Sequence, residues 1–288
     1  MGFYEEISKY YDYIFPVGMS QIKFIQEALI AKPKAENSGD ALAAIKKQNI
    51  LDVACGSGGY AIELSKRGFN VTAIDLDDAM LELANKKILE EKAQVDILKC
   101  DLRELKETLT KENKYKYKYL EKESKDNNYS VDVEQAKMFD CIFCIGNSLV
   151  HLGSYTEILG VLKQMKDLLT QNGELILQII NYDRIIKLGI KELPTIKNEK
   201  NSLEFIRKYE FSNSSGLVSF NTVLTIGDNE DKETFENSIE LYPVKSGEML
   251  RLLFDSGFNE VEFYGDFDKT SFREDSFMLV VKACYRAK

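Results

Sequence analysis

Apolar and polar positions along the chain follow two successive regimes. From Ile50 to Ile180, short apolar runs alternate with stretches whose apolar residues recur every three to four positions, the pattern of strands and helices taken in turn. Ile50–Val53, Phe69–Ile74, Val95–Leu98, Phe139–Ile145 and Glu174–Ile180 read as five strands. Between them, Tyr60–Arg67, Asp77–Glu91 and Tyr155–Leu169 read as helices, as does Gln21–Ala31 ahead of the first strand. Asp77 is placed to cap its helix, whose inner face carries Met80, Leu81, Ala84 and Ile88. Asn172-Gly173 reads as the C-cap of the helix that starts at Tyr155. From Leu203 the period becomes two. Leu203–Phe211, Leu217–Ile226 and Thr234–Leu241 alternate between turn-forming segments and predict a three-stranded antiparallel meander. Ser246–Ser256 returns to helical spacing, and Val261–Tyr264 with Phe277–Lys282 predicts a closing antiparallel pair.

Alternation of strand and helix predicts an α/β doubly wound sheet. Residues 1–181 and 243–288 form its core, with 1–20 as an N-terminal cap and 182–242 as an antiparallel lid. Lys32–Gly39 reads as a polar loop and Ala41–Lys47 as a short helix feeding the first strand. Residues 108–137 depart from the pattern. Eight lysines against seven acids between Lys106 and Lys137 make an insertion of nearly cancelling charge. Its Lys-Tyr alternation from Lys114 to Tyr119 reads better as a surface hairpin or loop than as a nucleic-acid contact.

The net charge of −9 opposes nonspecific nucleic-acid binding, which needs a basic surface. No window reaches the apolar length of a membrane span, and the start has neither a basic nor an apolar leader pattern, so a cytoplasmic protein is expected. Five cysteines without regular spacing are no disulfide framework. Cys141 and Cys144 lie three apart in a strand and point to opposite faces, and His151 is the one histidine, so no metal site is expected.

Chemistry concentrates where the first three strands end. Asp52 precedes the glycine turn Ala54-Cys55-Gly56-Ser57-Gly58-Gly59, Asp75 ends the second strand and Asp101 follows the third. Glycines in such a turn let backbone approach a ligand, and an acid on the second strand tip suits the two hydroxyls of a ribose. Gly56-Ser57-Gly58-Gly59-Tyr60-Ala61 also satisfies the dinucleotide fingerprint, which leaves a NAD-dependent enzyme open. Asp52 would face a pyrophosphate with negative charge, whereas it suits a cationic cofactor.

The successive segments D-V-A-C-G-S-G, A-I-D-L-D-D-A-M and K-C-D-L resemble the motifs of class I S-adenosylmethionine-dependent methyltransferases. That resemblance implies a seven-stranded, mostly parallel Rossmann-like sheet with S-adenosylmethionine as cofactor. It further implies Asp75 on the ribose, Asp101 and the Leu102 backbone on the adenine edge, and Leu76 and Met80 against the ring. Ala54 and Gly56 would pass the methionine portion, Asp52 would aid its ammonium, and Ile145 would close that side. Tyr11-Asp12 with Phe15 resembles a segment that folds over the cofactor in this class, though a core-packing helix explains it equally.

Ile145-Gly146-Asn147-Ser148-Leu149-Val150-His151-Leu152, Asn181-Tyr182-Asp183 and Leu241-Tyr242-Pro243 further resemble glycine/sarcosine N-methyltransferases. Asn147, His151, Asn181 and Tyr182 would then face a small-molecule methyl acceptor, with Tyr11 or Tyr13 and the meander shaping its pocket. The family's carboxylate-gripping arginine falls at Ile180, which cannot make a charge-assisted clamp, so glycine is expected to be poor and a larger or less acidic amine preferred. Arg207 or Lys208 could bring a charge from elsewhere, a solvated strand face being the simpler reading. The expected reaction is methyl transfer to a nitrogen or oxygen nucleophile, with His151 the available base for an alcohol. A silent S-adenosylmethionine-binding protein and an RNA methyltransferase stand as rivals beside the NAD enzyme.

Overall fold

A computed structural model describes residues 7–30, 48–110, 138–211, 216–227 and 232–287. A seven-stranded sheet carries the fold. Its strands are β1 (Asn49–Val53), β2 (Asn70–Asp75), β3 (Val95–Lys99), β4 (Phe139–Cys144), β5 (Leu169–Ile180), β10 (Glu260–Tyr264) and β11 (Met278–Cys284). They lie in the order β10-β11-β5-β4-β1-β2-β3, all parallel except β11, which runs antiparallel to both β5 and β10.

Both faces of β1 are covered, which is why its sequence is almost continuously apolar. Leu51 and Val53 enter one core cluster and Ile50 the other, as strand alternation requires. Full burial of each such side chain contributes about 1.5–3 kcal/mol relative to exposure. Order reverses at β1: the chain proceeds to β2 and β3 on one side and returns through β4 and β5 on the other. The crevice outside the carboxyl ends of β1 and β4 is therefore the switch point where such sheets bind ligands.

The helix Asp78–Glu91 begins as its sequence predicts, with Asp77 Oδ1 accepting from the Met80 N–H at 3.1 Å. A cap of this kind stabilises a helix by about 0.5–2 kcal/mol. Met80, Leu81, Ala84 and Ile88 are all buried. All five cysteines are buried and none is in a disulfide among the described residues. Residues 105–110 are helical, while the rest of the charged insertion and the short helix expected at 41–47 fall outside the described residues.

Two expectations are corrected. Asn172 does not cap a helix: Tyr155–Leu168 ends directly into β5, and Asn172, at φ 62°, sits inside that strand. The β4–β5 register shifts there, from Phe139 opposite Leu169 to Cys141 opposite Glu174, so the Asn-Gly pair serves a strand irregularity. The antiparallel sheet has four strands rather than three, β6 (Glu192–Asn198), β7 (Leu203–Phe211), β8 (Val218–Ile226) and β9 (Glu233–Leu241), paired in that order. Pro194 and the charges around it hide β6 from periodicity. They are tolerated because β6 is an edge strand whose register shifts between Leu193 and Ile196. At its base, the sheet is tied to the loop after β4 by the Tyr242 N–H, which donates to the Val150 carbonyl at 2.8 Å.

Candidate active site

The turn after β1 holds backbone that most residues avoid. Ala54 has φ 58° and Gly56 φ 54°. A non-glycine residue held there costs on the order of 1–3 kcal/mol and marks a place where shape outweighs strain. Asp75 fixes the turn: its Oδ2 accepts from the Gly56 N–H at 2.7 Å and its Oδ1 from the Asp77 N–H at 3.0 Å. Each oxygen keeps capacity for a further donor. Burial pushes the Asp75 carboxyl up, and the backbone donors of Asp77, Gly56 and Leu76 counter that. A Cβ at Gly56 would stand 3.1–3.2 Å from the Tyr11 ring and hydroxyl, so Tyr11 from the N-terminal segment lies directly over the turn.

Asp52 is buried behind that turn and its Oδ2 has no hydrogen-bond partner among the described residues. Burial, then the negative charge of Asp75, push its carboxyl well above the usual range, against a backbone donor from Ala61. An orphaned buried acid beside a tight glycine cradle fits a cofactor that brings a positive charge and an extended tail. It does not fit a pyrophosphate.

A cavity of about 390 Å³ opens from this turn toward the four-stranded sheet. Tyr11, Asp52, Ala54 and Ile145 line its one end, and Asn147, His151, Arg207 and Tyr209 line it farther on. Asn147 takes φ 69°, a left-handed conformation that asparagine tolerates. Its Oδ1 accepts from the Ile180 N–H at 2.9 Å and its Nδ2 donates to the Tyr182 hydroxyl at 3.3 Å, which locks the side chain between β4 and β5. His151 lines the cavity with part of its side chain open to solvent, and desolvation at the cavity wall lowers the pKa of the imidazole.

The residues named from sequence thus divide. Tyr13 is half exposed and does not line the cavity, so of the two tyrosines Tyr11 is the one present. Tyr182 is fully buried and meets the site through Asn147 and through the ring of Tyr209, 6.2 Å between centroids; burial raises its hydroxyl well above the usual range. Asn181 faces away: its Oδ1 caps the helix Tyr182–Lys187, and its Nδ2 donates to the carbonyls of Arg273, Glu274 and Ser276. Met80 is buried among Ile7, Ile14 and Phe205 rather than open to a ring, and Leu76 is exposed. Gly56, Asp101 and Leu102 lie outside the cavity lining, and Asp101 is held by both arms of Arg103 at 3.0 Å.

Sequence reasoning named Asp12 and Arg207 without their partners and passed over Lys87 and Gln178. Asp12 accepts from Ser57 Oγ at 2.5 Å and from Lys87 Nζ at 2.7 Å, pinning the N-terminal segment to the turn. Gln178 Oε1 accepts from the Gly146 N–H at 2.8 Å at the cavity wall. Arg207 is not on a solvated face: it shares the inward side of β7 with Leu203, Phe205 and Tyr209, while Lys208 is exposed. A cation at an inward position of a strictly alternating strand was the available signal.

Fold and site together describe an α/β protein with one cavity between the strand tips of its parallel sheet and the four-stranded sheet. Residues 50–120 match the family model of a methyltransferase domain. Over 232 residues the chain is 25% identical to the glycine/sarcosine N-methyltransferase of Aphanothece halophytica, covering 79% of this chain and 72% of that one. It is 24% identical over 260 residues to the enzyme of the same name from Parasynechococcus marenigrum (strain WH8102), covering 88% and 79%. Among solved structures, a S-adenosylmethionine-dependent methyltransferase from Clostridium acetobutylicum ATCC 824 superposes over 99% of this chain and 100% of its own, with a TM-score of 0.69 at 16% identity. The chain is a class I S-adenosylmethionine-dependent methyltransferase, and S-adenosylmethionine is its cofactor. The fingerprint reading as a NAD enzyme is set aside with it. Among the described residues, no helix is long and apolar enough to cross a membrane.

Proposed function

We propose that this methyltransferase acts on the nitrogen of a small-molecule amine held between the strand tips and the four-stranded sheet. The observation that carries the reading is continuity. One cavity runs from the strained turn at Ala54 past Asn147 and His151 to the inward face of β7. In its bound state the cofactor supplies an electrophilic methyl group, and alignment of the two reactants is the protein's contribution. Holding them in a reactive arrangement is worth on the order of 7–11 kcal/mol.

In this reading Asp75 accepts from the ribose hydroxyls, and Asp52 ionises beside the ammonium of the methionine portion. Tyr11 covers the turn. Asn147, fixed by Ile180 and Tyr182, orients the acceptor, and residues 182–242 act as its roof and exclude water. A neutral amine needs no strong base, and an uncharged His151 can take up the proton that the product nitrogen releases. The names of the two N-methyltransferase relatives agree with an amine acceptor.

The test is turnover of labelled cofactor with a panel of amines beside a panel of alcohols and phenols. Methylation confined to the oxygen panel overturns the nitrogen assignment. Asn147→Ala is expected to lower turnover at least tenfold while cofactor affinity stays within about threefold, the split of an interaction made with the acceptor. Collapse of cofactor affinity instead would move Asn147 to the cofactor site.

A further inference from the structure

The inward face of the four-stranded sheet is built in rows. Directly opposed residues on antiparallel strands share a face, so the pairings Leu193 with Arg207, Arg207 with Thr222, and Thr222 with Asn237 form one row across all four strands. The rows on either side are apolar: Phe205, Leu224 and Phe235 above, Tyr209, Phe220 and Ile239 below. These flanking rows belong to two different hydrophobic clusters, and the polar row divides them.

Each polar member of that row has a buried atom with no partner among the described residues: Arg207 Nε, Thr222 Oγ1 and Asn237 Nδ2. Thr222 is only 2% exposed. An unsatisfied buried polar group costs about 1–3 kcal/mol, so three adjoining ones in a sheet that could have been apolar throughout ask for a ligand. The Arg207 head is oriented, since its Nη2 donates to the Pro194 carbonyl at 2.7 Å. Among the described residues no carboxylate compensates it: Tyr209 is the one charge partner acting on the guanidinium, and neither Asp12 nor Asp52 acts on it although both line the same cavity. Burial in the absence of an acid lowers its pKa. A guanidinium in that condition is a half-made ion pair. Its planar donors match a carboxylate; Arg207 is the member of the row that lines the cavity, and Thr222 and Asn237 stand next to it in the strand register, outside that lining.

We propose that the row Arg207–Thr222–Asn237 is the subsite for a carboxylate carried by the methyl acceptor. The proposal rests on the amine reading above and adds the acceptor's second functional group. It also reverses the expectation drawn from Ile180. The clamp is not missing from this chain; it stands on the roof instead of at the end of β5.

Matched pairs test it: glycine with methylamine, sarcosine with dimethylamine, β-alanine with ethylamine and 4-aminobutyrate with propylamine. Each compound is assayed for methylation, and each is titrated calorimetrically into enzyme saturated with S-adenosylhomocysteine. In at least one pair the carboxylated member is expected to win by about tenfold or more in both readouts. Arg207→Met should abolish that preference and leave the carboxyl-free amine and cofactor affinity within about twofold, with Arg207→Lys recovering part of it. Thr222→Val should weaken carboxylate binding about three- to tenfold while the melting temperature holds or rises, because it deletes an unsatisfied hydroxyl. A purely structural role would move stability and not the preference. Absence of a carboxylate advantage in every pair overturns the subsite. So does an Arg207→Met variant whose loss is in cofactor affinity, since the arginine would then serve the cofactor. Amines methylated without preference leave the amine reading standing and the subsite fallen. Arg207-dependent carboxylate binding without amine methylation does the reverse.

Discussion

At the glycine turn, each oxygen of the Asp75 carboxylate accepts from one backbone N–H, of Gly56 and of Asp77, so the turn is held by the protein's own hydrogen bonds. On the roof, Arg207, Thr222 and Asn237 hold buried polar atoms that the described protein leaves unmet. The first region is preorganised by short-range backbone geometry and, in the proposed reading, serves a cofactor whose shape is common to a whole class. The second draws one residue from each of three strands and keeps its bonding capacity open, as selection among acceptors requires. Cofactor binding should therefore fail when shape is disturbed at the turn, whereas acceptor choice should change when chemistry is altered on the roof.

Gly56→Val should give the largest loss. The position needs φ 54°, and the added Cβ would meet the Tyr11 ring at 3.2 Å. A β-branched residue cannot take that conformation without strain, so cofactor affinity should fall by about a hundredfold or more. Calorimetry measures it. A roof variant with an equal effect on cofactor affinity would erase the division between the regions.

Asp75→Ala comes next. It removes acceptors from the ribose side and also frees the Gly56 and Asp77 N–H groups. Charge-assisted bonds of about 1.5–3 kcal/mol translate into a loss of more than about tenfold in affinity. Hydrogen exchange at the Gly56 and Asp77 amides should rise in the same variant. Unchanged affinity together with faster exchange would leave Asp75 a purely structural acid.

The geometry around these two residues was readable in the sequence because its logic is local. A strand, a glycine turn and an acid on the next strand tip follow one another within a single βαβ unit, and the seven-stranded sheet was legible for the same reason. The roof was legible only as alternation. Arg207 looked like a solvated lysine-type position because its opposite partners, Thr222 and Asn237, are distant in sequence and β6 is disguised by Pro194. Asn181 erred the other way. It follows a strand end, as acceptor-facing residues do, but its amide holds the loop at Arg273–Ser276, a partner no local pattern reveals.

Asp52 sharpens the comparison through pH. Its carboxyl lies well above the ordinary range in the folded, cofactor-free protein, from burial and from the charge of Asp75. The folded state then binds the proton more tightly than the unfolded chain, so this group's contribution to stability is present at low pH and is lost as pH rises from the usual carboxylate range toward the raised value. Asp52→Asn should flatten that decline in the cofactor-free protein. It should also weaken cofactor binding by about fivefold at pH 8 and by less at pH 6, because a raised carboxyl takes up its proton earlier as pH falls. Denaturant melts across pH and calorimetry at the two values check both halves. A variant that binds cofactor with wild-type pH dependence would show that Asp52 remains neutral in the complex.

The smallest effect belongs to the clasp that holds the N-terminal segment over the turn. Lys87 Nζ donates to Asp12 Oδ2 at 2.7 Å and to Ser57 Oγ at 3.2 Å, and Ser57 Oγ donates to Asp12 Oδ1 at 2.5 Å. The pair is partly open to water, with the Lys87 side chain 18% and the Asp12 side chain 42% exposed. An ion pair in that condition is worth up to about 1 kcal/mol, which limits Lys87→Met to about a two- to fivefold faster release of cofactor. Because the clasp closes over a ligand that the turn already grips, the change should appear in the dissociation rate and barely in association. Stopped-flow displacement at about 0.05 M and 0.5 M salt gives a second reading, since screening should speed wild-type release and leave the variant nearly unmoved. Asp12→Asn with Lys87→Met completes a cycle whose coupling isolates the pair. A coupling near zero would mean that Tyr11 stays over the turn through its packing against Phe15 alone, with ring centroids 5.2 Å apart, and that the clasp only decorates it.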